Sequence, residues 1–139
     1  PNRIIVGEVR GAEAIDMLQA LNTGHDGSLS TGHANSPKDM LSRLESMVLM
    51  GMDLPLGAVQ RQIASGIDII VHLGRLRDKS RKVLEVSEIL DYQDGEILVS
   101  PLYRFEETGE KDGKIQGTWR KMDDLVHTQK LLAAGYKEV

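Results

Sequence analysis

The apolar positions near the start of the chain predict two parallel strands joined by a helix. Residues 4–6, Ile-Ile-Val, form a continuous apolar run, which is typical of a parallel strand covered on both faces. Apolar residues then recur at helical spacing between residues 11 and 22, and a short β-prone segment follows at 28–31. Because parallel strands need a right-handed crossover of this kind, the two strands are expected to be sheet neighbours or nearly so.

Two further helices are predicted before the middle of the chain. Ser36 as N-cap, Pro37 at the first helical position and Asp39 three residues after the cap form a strong start signal. The apolar stripe that follows runs to Gly51. A second helix is predicted over residues 55–66.

The second half of the chain is predicted to be mostly strands. The predicted strands are a buried one at 67–73 and others at 82–90, 97–105 and 115–119. Residues 75–82 carry five basic side chains and predict a basic hairpin tip, and Asp94 followed by Gly95 predicts another hairpin. Pro101 suggests an edge strand or a bulge.

The last segments are predicted to be a turn and a helix. The charged residues 106–114 indicate a solvated turn, whereas Met122, Leu125, Val126 and Leu132 indicate a terminal amphipathic helix that Gly135 ends. The fold class is therefore α/β, with parallel strands first, antiparallel strands later and a terminal helix.

Composition restricts the possible functions. A length of 139 residues suits one domain, and no apolar run approaches the roughly 20 residues of a membrane-spanning helix. The net charge of −4 argues against bulk electrostatic binding to nucleic acid. The absence of cysteine excludes disulfides, iron–sulfur clusters and thiolate zinc sites. The abrupt entry into a buried-type strand predicts that the chain is part of something longer.

Candidate chemistry concentrates at the ends of the first two strands. Glu8 ends the first strand and His33 follows the second, and ligands of open α/β sheets bind outside the carboxyl ends of the strands. A carboxylate here can orient Mg²⁺ or polarise a water for attack on a phosphoryl group, while a histidine or arginine stabilises charge on phosphate oxygens. We therefore expect Glu8 and His33 to meet at one edge of the sheet.

Other interpretations of these residues stay open. Glu8 could pair with Arg10 or cap the following helix, and His25 and His33 could be structural or could ligate a metal with Glu8 in a metal-dependent hydrolase. A non-catalytic α/β interaction module is a further alternative. The phosphate-binding pattern G-x-x-x-x-G-K-[ST] does not occur. The one Gly-Lys pair, Gly113-Lys114, has Thr108 where the pattern needs its first glycine and Ile115 where it needs Ser or Thr.

Four segments carry a family resemblance. They read R-I-I-V-G-E-V-R-G, T-G-H-D-G-S-L-S-T-G-H-A-N-S-P, L-S-R-L-E and R-Q-I-A-S-G-I-D-I-I-V-H. They resemble the type II/type IV secretion ATPases, particularly the tight-adherence pilus (CpaF-type) branch. The resemblance is strong from Pro1 to Arg77, and the final strands and helix look like that branch's C-terminal extension.

The resemblance implies the C-terminal part of a RecA-like P-loop ATPase domain, treated as one domain with a Walker B and His-box core at 1–74 and strands and a helix at 75–139. It implies a hexameric cytoplasmic motor, peripheral at the inner membrane, that uses ATP and Mg²⁺ to drive secretion or pilus assembly with membrane platform proteins, and no nucleic acid. The family's Walker A loop, Asp box and N-terminal domain lie upstream, so the isolated chain is expected to be inactive.

The resemblance also implies residue roles. Glu8 would close an atypical Walker B motif, prepare the attacking water and act on Mg²⁺ through water. Residues expected to sense or contact phosphate are His33, His25, Thr31 and Arg10, with Arg61 as a further possibility. Gly32 stands where many relatives have leucine before the histidine.

With the P-loop strand missing, the first strand is expected to leave an apolar edge that favours association or swapping between chains.

Overall fold

The computed structural model describes residues 1–138 and divides them between two units. The first unit comprises Pro1–Asp68 and Asp91–Leu98. The second comprises Ile69–Leu90 and the chain from Val99 onward. The single-domain organisation with a division after residue 74 stays a prediction.

The first unit contains a small parallel sheet and three helices. Its elements are β1 (Ile5–Val6), α1 (Ala14–Asn22), β2 (Leu29–Ser30), α2 (Pro37–Gly51) and α3 (Leu56–Gly66). Strands β1 and β2 are parallel, with Ile5 opposite Leu29 and Val6 opposite Ser30, which confirms the prediction that they are parallel neighbours. The prediction that β1 is covered on both faces is wrong, because the side chains of Ile5 and Leu29 are both largely exposed.

Helix packing supplies the core of this unit instead. Each of α1, α2 and α3 packs against the other two, and Leu18, Val48, Val59 and Ile63 are almost completely buried between them. The predicted start of α2 is confirmed, since the Ser36 hydroxyl oxygen accepts the N–H of Asp39 at 3.0 Å. Burial of such side chains contributes about 1.5–3 kcal/mol each, so the helices rather than the two short strands stabilise this unit.

The second unit is built on an antiparallel sheet. Its elements are β3 (Ile69–Arg75), β4 (Arg81–Gln93), β5 (Glu96–Lys111), β6 (Lys114–Lys121) and α4 (Gln129–Ala133), with the tip of the β4–β5 hairpin belonging to the first unit. The strand order is β3-β4-β5-β6. The predicted hairpin turn is confirmed, because Asp94 and Gly95 have φ values of 51° and 81°, as a two-residue turn with both central residues left-handed requires.

Two strand predictions need correction. The 67–73 strand is not buried, because β3 lies at the end of the described sheet and its side chains alternate, with Val71 and Leu73 exposed. The reading of the Pro101 strand as an edge is also wrong, since β5 lies between β4 and β6. The registered pairs with β6 begin at Tyr103, beyond the proline.

The charged segment 106–114 is not a turn. Strand β5 continues to Lys111, and the turn is confined to Asp112 and Gly113, which have φ values of 53° and 76°. Strand β6 pairs with this segment as far as Lys111, which lies opposite Lys114, and a ring contact lies just before the segment. Phe105 and Trp119 meet edge to face with ring centroids 5.6 Å apart.

The predicted terminal helix is mostly absent. Helix α4 covers only Gln129–Ala133, and His127 lies before it rather than on a helix. The main chain of residues 122–127 makes other hydrogen bonds. The N–H of Met122 donates to the Leu102 carbonyl at 2.7 Å. The N–H groups of Val126 and His127 donate to the Glu88 carboxylate. Every helix within residues 1–138 falls short of the length and apolarity needed to cross a membrane.

Candidate functional site

The segments that leave β1 and β2 run side by side beyond the ends of the strands. The N–H of Val9 donates to the Thr31 carbonyl at 2.9 Å, and the Thr31 hydroxyl donates to the Gly7 carbonyl. Val9 is 2% exposed and anchors its segment in the core. The residues on either side of Val9 are therefore held next to the segment that carries His33.

Glu8 lies at the centre of a three-residue cluster at this edge. Its Oε1 is 2.8 Å from His33 Nε2, and its Oε2 is 2.6 Å from Arg10 Nη2. The Glu8 side chain is 25% exposed, whereas those of His33 and Arg10 are 85% and 78% exposed. The expectation that Glu8 and His33 converge is confirmed, and so is the alternative that Glu8 pairs with Arg10.

The cluster favours the charged forms of Glu8 and Arg10. The hydrogen bond from Arg10 is the largest effect that holds the pKa of Glu8 below its ordinary value, and the charges of Arg10 and His33 act in the same direction against partial burial. The hydrogen bond to Glu8 correspondingly raises the pKa of Arg10. Glu8 is thus a carboxylate at neutral pH, and each oxygen keeps a further lone pair for a water proton.

Glu13 also belongs to this edge, and no site role was expected for it. Its Oε1 accepts the main-chain N–H groups of Arg10 at 2.8 Å and Gly11 at 3.2 Å. The N–H of Arg10 is the largest effect that lowers the pKa of Glu13. The spacing of Arg10 and Glu13 is that of a capping box, but the Ser or Thr of that motif is missing and Glu13 is itself the N-cap of α1, so the sequence carried no specific signal for this contact.

Gly32 brings the His33 segment close to α2. A Cβ at this position would lie 2.9 Å from Met40 Cε, so Met40 packs into the space that a side chain would occupy. The absence of a side chain at Gly32 therefore allows the segment to lie against α2.

Two predicted site residues lie elsewhere in this unit. His25 Nδ1 is 3.0 Å from the Pro1 carbonyl oxygen, which places His25 at the amino ends of β1 and β2. The Arg61 guanidinium on α3 lies over the Tyr92 ring, 5.1 Å from its centroid. The structure thus brings together Glu8, Arg10, His33 and Thr31, but not His25 or Arg61.

The geometry of the cluster bears on the metal alternative. Among residues 1–138, no three His, Asp or Glu side chains lie close enough together to hold a metal ion. His25, His33 and Glu8 accordingly do not form the site that a metal-dependent hydrolase was predicted to have. What the edge offers is one carboxylate for a water and two exposed nitrogen groups for anionic oxygens.

These features have a family counterpart. The family model described as type II/IV secretion system protein matches residues 1–124. The chain belongs to this family, and the relatives that share its fold include an ATPase of a type IV secretion system.

Named relatives support this membership. A Mycobacterium tuberculosis protein named for conjugal transfer is 40% identical over 97 residues, covering 70% of this chain and 27% of the relative. The conjugal transfer protein TrbB of Rhizobium radiobacter is 39% identical over 94 residues, covering 68% of this chain and 28% of the relative. This chain therefore spans little more than a quarter of the length of these relatives.

A solved structure supports the fold class. The crystal structure of the VirB11 ATPase from Brucella suis, in complex with sulphate, superposes with a TM-score of 0.58 at 35% identity, over 62% of this chain and 27% of the VirB11 chain. The predicted α/β class, with parallel strands, then antiparallel strands and a terminal helix, is confirmed, although that helix is shorter than expected.

Proposed function

We propose that this chain supplies the hydrolytic side of the ATP site in a secretion-system motor. The observation that carries the proposal is the ionised Glu8 carboxylate at the carboxyl end of β1, held between Arg10 and His33. The sequence similarity to the VirB11 ATPase supports ATP as the substrate. A carboxylate beside two nitrogen groups suits phosphoryl transfer, in which positioning and charge stabilisation do most of the catalysis.

Each residue of the cluster has a role in the proposal. Glu8 orients the attacking water and would act on Mg²⁺ through water, while His33 and the Arg10 N–H groups that do not contact Glu8 donate to oxygens of the terminal phosphate. Thr31 holds the Gly7 carbonyl and so fixes the segment that presents Glu8. Mg²⁺, when bound with ATP, neutralises charge on the phosphate oxygens. The phosphate-sensing roles expected for Thr31, His25 and Arg61 stay predictions.

The phosphate-cradling side of the site is proposed to come from residues outside this chain. The chain has no G-x-x-x-x-G-K-[ST] pattern and spans about a quarter of the length of its relatives. The isolated chain is accordingly proposed to be inactive. The proposal also includes a hexamer at the cytoplasmic face of the inner membrane, working with platform proteins of a secretion or pilus system, and membership of the tight-adherence branch.

The proposal predicts the largest loss of activity at Glu8. In the intact protein, Glu8→Gln is expected to lower kcat for ATP by about 10²–10⁴-fold, because the amide cannot take a proton from water. The affinity for Mg-ATP is expected to stay within about threefold, since Glu8 is proposed to act on the water rather than to hold the nucleotide. Steady-state turnover and calorimetric binding measure the two quantities.

Glu96→Gln is the matched control, because it makes the same change at an exposed glutamate at the start of β5. It should leave both turnover and binding unchanged. Normal turnover in Glu8→Gln would refute the role proposed for Glu8.

A further inference from the structure

The turn between β1 and α1 is held by a side chain of the helix that follows it. Glu13 Oε1 accepts two main-chain N–H groups of this turn, those of Arg10 and Gly11. Gly11 leaves room for the carboxylate, since a Cβ there would lie 3.3 Å from Glu13 Oε2. The glutamate side chain therefore fixes the backbone at the residue whose guanidinium binds Glu8.

The position of that guanidinium depends strongly on its backbone. The Arg10 side chain is 78% exposed, so surrounding side chains do little to confine it, and it reaches Glu8 Oε2 at 2.6 Å from a main chain that Glu13 holds. A long exposed side chain loses rotamer freedom when it is fixed in one geometry. Because Glu13 already orders the main chain of Arg10, less conformational entropy is lost when the Glu8–Arg10 pair forms.

Helix α1 has main-chain bonds of its own that do not use the carboxylate. The N–H of Ala14 donates to the Gly11 carbonyl at 3.0 Å, and the N–H of Met17 donates to the Glu13 carbonyl at 3.1 Å. Ala14 and Met17 are also buried. Loss of the Glu13 carboxylate should accordingly loosen the turn while the helix remains.

We infer that Glu13 is a positioning residue for the proposed hydrolysis: it holds the turn so that Arg10 stays on the Glu8 carboxylate and Glu8 stays aimed at the water. The inference rests on the proposed function. Glu13 acts through Arg10 and touches no reacting atom in this account. Its hydrogen bonds rather than its charge are the essential property, so glutamine can replace it because the amide oxygen accepts the same two N–H groups.

The test compares Glu13→Ala and Glu13→Gln in the intact protein. Glu13→Ala is expected to lower kcat about tenfold, the loss that corresponds to one well-placed interaction, with Mg-ATP affinity within about threefold. Glu13→Gln is expected to recover most of the lost turnover. Asp16→Ala is the matched control, because it removes another acid from the first turn of α1 and should keep kcat near the wild-type value.

The pH profile supplies a readout that a purely structural role would not change. Since the hydrogen bond from Arg10 is the main cause of the low pKa of Glu8, loosening Arg10 should raise that pKa. The acid limb of kcat against pH is then expected to move to higher pH in Glu13→Ala and to return in Glu13→Gln. The groups that face Glu8 here are Arg10 and His33, and both remain in these variants.

Gly11→Ala tests the inference without removing the carboxylate, in case Glu13→Ala does not fold. Its Cβ would crowd Glu13 Oε2, so the same shift of the acid limb is expected to a smaller extent. Wild-type turnover and an unmoved acid limb in Glu13→Ala would overturn the inference. Equal losses in Glu13→Ala and Asp16→Ala, or failure of glutamine to restore turnover, would also overturn it.

The outcomes separate this inference from the proposed function. If Glu8→Gln is inactive and Glu13→Ala is normal, the positioning role alone fails. If Glu8→Gln hydrolyses ATP normally, the proposed function fails whatever Glu13 does.

Discussion

Two glutamate–histidine pairs in the described residues have similar spacing and very different surroundings. Glu8 lies 2.8 Å from His33, and Glu88 lies 3.0 Å from His127. The Glu8 side chain is 25% exposed and its histidine is 85% exposed. The Glu88 side chain is 2% exposed and its histidine is 50% exposed. The distance between the glutamate and the histidine therefore does not show which of the two pairs is suited to chemistry.

The donors around each carboxylate make the distinction. Glu8 is approached by two exposed side chains, Arg10 and His33, which have further nitrogen groups for a ligand and can adjust without any movement of the main chain. Glu88 accepts the main-chain N–H groups of Val126 at 2.8 Å and His127 at 2.9 Å. Main-chain donors of a folded segment cannot be given up without moving that segment. A buried carboxylate with such donors stabilises structure, whereas an accessible one with side-chain donors can serve a reaction.

The largest effect on stability is predicted at Glu88. Glu88→Gln replaces one acceptor oxygen with an NH₂ group that faces a main-chain N–H, so the free energy of unfolding should fall by about 2–4 kcal/mol. Urea denaturation measures the change. Glu8→Gln is the matched variant and should leave the urea midpoint nearly unchanged. Equal midpoints for the two variants would remove the distinction between the pairs.

A smaller loss is predicted at His127. His127→Ala removes a half-exposed ring but keeps the main-chain N–H that Glu88 accepts, so the cost should be about 1 kcal/mol or less. The same denaturation experiment applies. A loss as large as that of Glu88→Gln would show that the imidazole rather than the backbone holds the segment.

The smallest effect concerns the titration of Glu8. Arg10→Ala should raise the pKa of Glu8 toward its ordinary value of 4.5, since the hydrogen bond from Arg10 is the main cause of its lowering. A lowered pKa means that the pair stabilises the fold above pH 4.5 and that this contribution is lost as the pH falls through the lower folded-state value. The carboxyl carbon of Glu8, followed by NMR, reports the titration. An unchanged titration in Arg10→Ala would contradict the assigned cause.

The convergence of Glu8 and His33 was predictable because parallel pairing follows from the strand–helix–strand order and ligands bind at one defined edge of such sheets. The helices were predictable for a similarly local reason, since the cap at Ser36 and the apolar stripe after it act over a few residues. These features depend on short stretches of sequence.

The terminal segment was not predictable from local pattern. Met122, Leu125 and Val126 have helical spacing, yet Glu88, 38 residues before Val126, takes the main-chain N–H that a helix needs. The exposure of Val71 on β3 likewise depends on the position of its strand at the end of the described sheet, which the apolar run of 67–73 does not reveal. In both cases, contacts with residues distant in the sequence determine the structure that forms.

The most direct measurement is the kcat for ATP of Glu8→Gln and Glu88→Gln, made side by side in the intact protein well below the melting temperature of either variant. Glu8→Gln should lose at least about 100-fold in kcat with its stability nearly unchanged, and Glu88→Gln should keep kcat within about threefold despite its lower stability. Normal turnover in Glu8→Gln, or an equally large loss in folded Glu88→Gln, would contradict the account.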